Sequence, residues 1–137
     1  MIVLDTNVIS ELWKVEPDTN VLAWIDAQLI ETLYLSTITV AELRYGLATM
    51  PEGKRRAIYQ DRLEREVLPA FSGRVLSFDL DASQAYAELM AGAKEAGKAN
   101  GYIAATAAAR GLMLATRDTS PFQAAGLNVV NPWNSSQ

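Results

Sequence analysis

Two aspartates, Asp5 and Asp118, each stand just after an apolar run. Asp5 closes Met1-Ile2-Val3-Leu4, and Asp118 follows Leu112-Met113-Leu114-Ala115 with Thr116 and Arg117 between. Short apolar runs ended by a polar break read as buried parallel strands. In an open α/β sheet the ligand crevice lies outside the carboxyl ends of the strands, so both carboxylates face it. Converging carboxylates either take up a proton or share a cation. Glu42, one turn into the helix after the second strand, and Asn100, just before Gly101-Tyr102, belong on the same rim. Hard oxygen donors of this kind suit Mg2+ or Mn2+. Such ions activate water and stabilise both oxygens of a phosphodiester displacement. The chain has no histidine and no cysteine. Ser–His and Cys–His catalysis and histidine-based zinc sites are thereby excluded.

The elements that position these groups follow from the hydrophobic pattern. Five segments read as strands: Met1–Leu4, Leu33–Ile38, Val75–Phe78, Leu112–Thr116 and Leu127–Val130. Helical patterns fill the gaps at Val21–Ala27, Val40–Ala48, Glu52–Val67, Ala82–Ala96 and Gly101–Arg110. Asp81 is the expected N-cap of the Ala82–Ala96 helix and Gly97 its expected C′ residue. Strands alternating with helices predict one α/β/α sandwich, residues 1–137, around a mostly parallel sheet of about five strands. The chain has 137 residues, half of them hydrophobic, which suits a single domain with a sizeable core. No run approaches the ~18 apolar residues of a membrane span. The opening Met1-Ile2-Val3-Leu4-Asp5 lacks the positive region of a secretory signal. These features, with the absence of cysteine, lead us to expect a cytoplasmic protein. The net charge of −4 excludes a generally basic nucleic-acid coat protein.

Each candidate has a structural reading beside the chemical one. Thr39-Val40-Ala41-Glu42 matches a capping box, which taken alone is the stronger reading of Glu42. Asp118 could be a turn residue ahead of Ser120-Pro121, and Asn100 a plain N-cap. Thr6 and Thr116 could orient a metal-bound water or satisfy local backbone groups. Lys54, Arg55, Arg56, Arg62 and Arg65 could track an RNA backbone, but interleaved acids favour a solvated face. Trp13, Trp24, Ile25, Leu43 and Leu47 could serve a shared interface or an internal core. An aspartyl phosphotransferase using Asp5 would want a second acid two residues on, where Asn7 stands. A receiver domain would want paired acids after the first strand, which Asp5 lacks.

Five blocks occur in order at sensible spacing: Leu4-Asp5-Thr6-Asn7-Val8-Ile9-Ser10-Glu11, Thr39-Val40-Ala41-Glu42-Leu43-Arg44-Tyr45-Gly46, Gly101-Tyr102-Ile103-Ala104-Ala105-Thr106, Ala115-Thr116-Arg117-Asp118-Thr119 and Asn131-Pro132-Trp133. Together they resemble PIN-domain proteins of the VapC toxin type, the FitB-like branch above all. That resemblance implies a PIN-like fold and a metal-dependent ribonuclease toxin of a toxin–antitoxin pair. It implies Asp5, Glu42 and Asp118 as catalytic metal ligands for Mg2+ or Mn2+, with Asn100, Thr6 and Thr116 in support. It also implies a cognate antitoxin as partner, RNA as substrate, and operator DNA bound only through the antitoxin; the apolar positions Trp13, Trp24, Ile25, Leu43 and Leu47 separately lead us to expect a homodimer. An alternative is an attenuated module acting mainly within the antitoxin–DNA repressor complex. The sequence departs from the family pattern at Asn100, where an aspartate usually precedes Gly-Tyr-Ile-Ala-Ala, and the segment before it is shorter than usual. The three acids then give −3 rather than the −4 of four. A natural variant, an engineered change and a missing stretch of chain all remain open as explanations.

Overall fold

In the computed structural model, residues 1–93 and 96–134 are described. The chain runs β1 (Ile2–Leu4), α1 (Thr6–Leu12), α2 (Thr19–Asp26), β2 (Leu33–Ser36), α3 (Thr37–Thr49) and α4 (Lys54–Arg62). A wide π-helical turn, Leu63–Val67, leads into α5 (Leu68–Ala70) and β3 (Val75–Leu76). Next come α6 (Leu80–Gly92), α7 (Lys98–Ala109), β4 (Met113–Ala115), α8 (Ser120–Ala124) and β5 (Val129–Val130). The strand order is β3-β2-β1-β4-β5, and every pairing is parallel. Succession reverses between β1 and β4, which makes the crevice beyond their carboxyl ends the topological switch point.

Strand alternation builds two cores. Leu4, Leu33, Leu35 and Ala115 face a layer containing Val8, Val21, Leu43, Leu47 and Phe71. Val3 and Leu114 face the other, with Leu89, Ile103, Ala104, Ala107 and Phe122. The sheet is therefore covered on both sides, as all-parallel sheets require. Burying one such leucine contributes about 1.5–3 kcal/mol. On the second face the alanine-rich α7 lies close to α6. A Cβ added at Gly101 would fall 2.6 Å from Met90 Sδ, so any larger residue there would force the Met90 side chain to shift. Gly111, with φ +67, turns the chain from α7 towards β4.

The strands are shorter than the apolar runs. Leu33–Ile38 becomes Leu33–Ser36, because Ser36 Oγ accepts the Ile38 amide and starts α3 at Thr37. Thr39 is thus inside the helix, and the expected capping box with Glu42 does not form. Asp79, not Asp81, caps α6: its Oδ1 accepts the Ala82 amide at 3.0 Å, and Arg110 pairs with it at 2.9 Å. That helix ends at Gly92 instead of Ala96, and Gly97 becomes the N-cap of α7. Lys94 and Glu95 lie outside the described residues. The Glu52–Val67 helix divides at Leu63, where the Leu68 amide reaches back to the Leu63 carbonyl.

Candidate active site

The rim is built outward from Asp5. Its amide donates to the Ala115 carbonyl at 2.9 Å, prolonging the β1–β4 ladder by one residue. Its side chain then turns to cap α1, with Oδ1 accepting the Thr6 amide at 2.7 Å. Oδ2 accepts from Thr116 Oγ1 at 2.9 Å. Asp5 is only 2% exposed. Burial pushes its carboxyl above the usual range; the Thr116 and Thr6 hydrogen bonds oppose this, while the charges of Glu42 and Asp118 raise it further.

Thr116 is fully buried and also accepts the Asp118 amide at 3.2 Å, so one hydroxyl ties Asp5 to the loop that carries Asp118. Thr6 performs the matching task on the other side. Its Oγ1 donates to Glu42 Oε1 at 2.5 Å and lies 3.2 Å from Thr39 Oγ1. Both threonines therefore bond across the rim instead of satisfying only their own backbone. Glu42 is half-buried in the second turn of α3, and Asp118 is exposed.

The fold brings Asp5, Glu42 and Asp118 to one rim at the switch point. Asn100, half-buried, is the third residue of α7, and no hydrogen bond among the described residues links it to the three acids. Nor, among the described residues, do any three acidic side chains converge tightly enough to enclose an ion as they stand. The residues nevertheless fit a divalent cation in donor chemistry and charge. A desolvated Asp5 carboxylate facing two like charges has a raised affinity for any positive charge. Each of its oxygens keeps a second lone pair beyond the bond it accepts.

A groove of about 380 Å3 leads away from Thr6 and Glu42 between α1, α3 and α4. Trp13, Leu43, Leu47 and Tyr59 line its apolar wall. Leu43 and Leu47 belong to the first core, and Trp24 and Ile25 pack against that core rather than lining the groove. One buried acid had no role assigned from sequence. Glu11 is bridged to Lys14 at 2.9 Å and accepts the Asp18 amide at 2.9 Å. The Lys14 bond leads the effects that hold its carboxyl below the ordinary range. It fastens the α1–α2 connection, and only its apolar flanks Ile9 and Leu12 hinted at burial.

The sequence profile of the PIN domain matches residues 2–127. The chain belongs to the PIN-domain family. It is 75% identical to the VapC ribonuclease Y4jK of Sinorhizobium fredii (strain NBRC 101917 / NGR234), over 97% of this chain and 98% of that protein. It is 49% identical to the toxin FitB of Neisseria gonorrhoeae (strain ATCC 700825 / FA 1090), over 98% of this chain and 99% of that one. Among solved structures it resembles FitAB bound to an IR36 DNA fragment, with a TM-score of 0.94, 45% identity, and coverage of 100% of this chain and 99% of that one. The resemblance carried by the five sequence blocks, including the FitB-like branch, is borne out, as is the PIN-like α/β/α architecture.

Proposed function

We propose that this chain is an endoribonuclease, the toxin half of a toxin–antitoxin pair, acting with Mg2+ or Mn2+. The observation that carries the reading is a buried Asp5 at the switch point, tied through Thr116 to the Asp118 loop and charge-coupled to a Glu42 held by Thr6. Relatives named VapC ribonuclease and toxin FitB support it. Asp5, Glu42 and Asp118 would hold the cation, which when bound supplies Lewis-acid charge and lowers the pKa of water. Thr6 and Thr116 would hold the Glu42 and Asp5 carboxylates in place, while the Asp118 side chain is left exposed. Asn100 would add at most a neutral carbonyl, leaving the site at −3.

A cognate antitoxin segment would fill the groove between α1, α3 and α4, and its Lys or Arg would neutralise the acidic rim. Similarity to FitAB bound to DNA supports an antitoxin that carries the operator contact. A homodimer is proposed on the exposed Leu29 and Ile30 next to the half-buried Ile25. No helix among the described residues is long and apolar enough to cross a membrane, and we place the protein in the cytoplasm.

Asn100 favours a second reading, in which the chain chiefly completes an antitoxin–DNA repressor complex with weak cleavage of its own. Incubating the purified chain with structured and single-stranded RNA separates the two. Cleavage with Mn2+ that stops on chelation and is lost in Asp5→Asn supports the enzyme. Intact RNA at every metal concentration, with tight antitoxin binding preserved, supports the repressor module and rejects the first reading.

A further inference from the structure

The basic run of α4 mixes cations with acids in sequence, yet the helix sorts them in space. Arg65 pairs with Asp61 at 3.0 Å, and Arg44 of α3 pairs with Glu64 at 2.9 Å. Arg56 turns to the same side, with Nη1 3.4 Å from the Met50 carbonyl. Lys54, Arg55 and Arg62 turn the other way. Among the described residues they form no ion pair, and no carboxylate lines the depression of about 470 Å3 that they border.

The floor of that depression is aromatic. Tyr59 stacks on Trp13 with centroids 5.6 Å apart at 20°. The Arg55 and Arg62 guanidinium carbons each lie 5.7 Å from the Tyr59 ring centroid. The ring steadies both guanidiniums while leaving their N–H edges for an acceptor. Val15 is 96% exposed at the border of the depression, a bare apolar contact. Trp13, Lys14, Val15, Arg55 and Tyr59 also line the groove that ends at Thr6 and Glu42. A continuous path therefore joins the unpaired cations to the acidic rim.

The whole chain is net negative, and the groove ends at the rim where the charges of Glu42 and Asp118 act on Asp5. A polyanion that must approach such a rim needs cations elsewhere to hold it. We propose that Lys54, Arg55 and Arg62, with the Trp13–Tyr59 stack, form a docking ledge for the sugar–phosphate backbone of single-stranded RNA. This ledge delivers the strand along the groove to Asp5, Glu42 and Asp118, and it rests on the ribonuclease reading. Guanidiniums without acid partners recognise phosphate oxygens, and the apolar border accepts a base or ribose. An antitoxin in the groove would cover Arg55 and Tyr59 as well as the rim, so one segment would block both docking and cleavage.

The test is the salt dependence of binding by the full chain in chelator, where no cleavage intrudes. The probe is a fluorescein-labelled single-stranded oligouridine of about ten nucleotides, read by anisotropy. Each lost phosphate contact removes about 0.7 from the slope of log K against log salt, so Arg55→Ala/Arg62→Ala should flatten it by about 1.4. Arg55→Gln/Arg62→Gln, which keeps the polar stems over Tyr59, should flatten it equally and guards against a folding defect. Arg44→Ala/Arg65→Ala on the paired side should leave the slope unchanged. A slope unaltered in both ledge variants overturns the proposal, as does failure of the parent chain to bind the oligonucleotide. So does a ledge variant that loses antitoxin affinity while keeping the parent's RNA slope, which would make this a protein-docking surface. A parent that binds the oligonucleotide but cleaves no RNA with Mn2+ instead sinks the ribonuclease reading and leaves the ledge standing.

Discussion

The two ends of the rim begin from the same dipeptide, Asp-Thr, and finish in opposite states. After β1, Asp5 is the first residue beyond the strand and is buried, with each carboxylate oxygen accepting a hydrogen bond. After β4, Asp118 stands two residues further out, exposed, and its loop is held through its backbone amide. The difference arises in the first residues beyond each strand. Asp5 caps a helix at once, which pins its side chain into the sheet edge. Beyond Ala115, Thr116 takes the buried place instead and leaves the Asp118 side chain exposed. One acid supplies a fixed, desolvated anchor and the other an adaptable one. That division is consistent with the three acids failing to converge without a counter-charge.

If this contrast holds, neutralising the two aspartates should separate function from stability. Asp118→Asn is expected to abolish metal-dependent RNA cleavage while changing stability by no more than about 0.5 kcal/mol, because its side chain is exposed. A thermal shift well beyond that would show that Asp118 is tied into the fold more firmly than its exposure suggests. Thr116→Val keeps the shape of the buried side chain but deletes the hydroxyl that joins the two ends. Cleavage should fall about 10–100-fold, the usual cost of removing a group that orients a metal ligand. The Asp5 carboxyl should rise further, since its strongest opposing hydrogen bond is gone. A Thr116→Val protein with the parent's rate and pH profile would reduce Thr116 to packing.

Asn100→Asp approaches the rim from a third direction. A fourth acid on the first turn of α7 should tighten Mn2+ binding by several-fold, measured calorimetrically, and destabilise the metal-free chain. Unchanged affinity would place position 100 outside the site. The smallest effect is expected away from the rim. Asp79 is held below the usual carboxylate range, first by the Ala82 amide and then by the Arg110 charge. A depressed folded-state value means its contribution is present above the ordinary carboxylate pKa and is lost as pH falls through the lower folded value. Asp79→Asn should therefore lower the melting temperature slightly at neutral pH, and the gap should close in acid.

Much of the scaffold was legible in the residues because its cause is local. Apolar runs marked all five strands, and their alternation with helices marked the parallel sheet, whereas the order β3-β2-β1-β4-β5 came only from the fold. Helix starts were less legible where several capping residues compete. Ser36 and Thr39 both suit an N-cap, and so do Asp79 and Asp81. In each pair the earlier residue takes the cap, a choice that depends on where the preceding strand ends in the sheet. Least legible were the threonine ties, since Thr6–Glu42 and Thr116–Asp5 span 36 and 111 positions. Their partners are set by which strands lie side by side. The cations of α4 hid for a related reason: the interleaved acids neutralise the run in sequence, whereas the helix turns Asp61 and Glu64 towards other arginines.

Asp5, Glu42 and Asp118 are proposed to act as one cation site whose buried member is destabilised by charge. Thermal unfolding of the parent and Asp5→Asn, each with chelator and with Mn2+, tests that directly. Because the folded-state carboxyl is raised, ionised Asp5 destabilises the metal-free protein at pH values above that raised level. This penalty fades as pH falls towards the ordinary carboxylate pKa. In chelator at neutral pH, Asp5→Asn should therefore melt above the parent, and the difference should shrink on acidification. Mn2+ should raise the melting temperature of the parent alone, since a ligand stabilises the state that binds it. A parent that gains nothing from Mn2+, or an Asp5→Asn protein that gains as much as the parent, would contradict a cation site centred on Asp5.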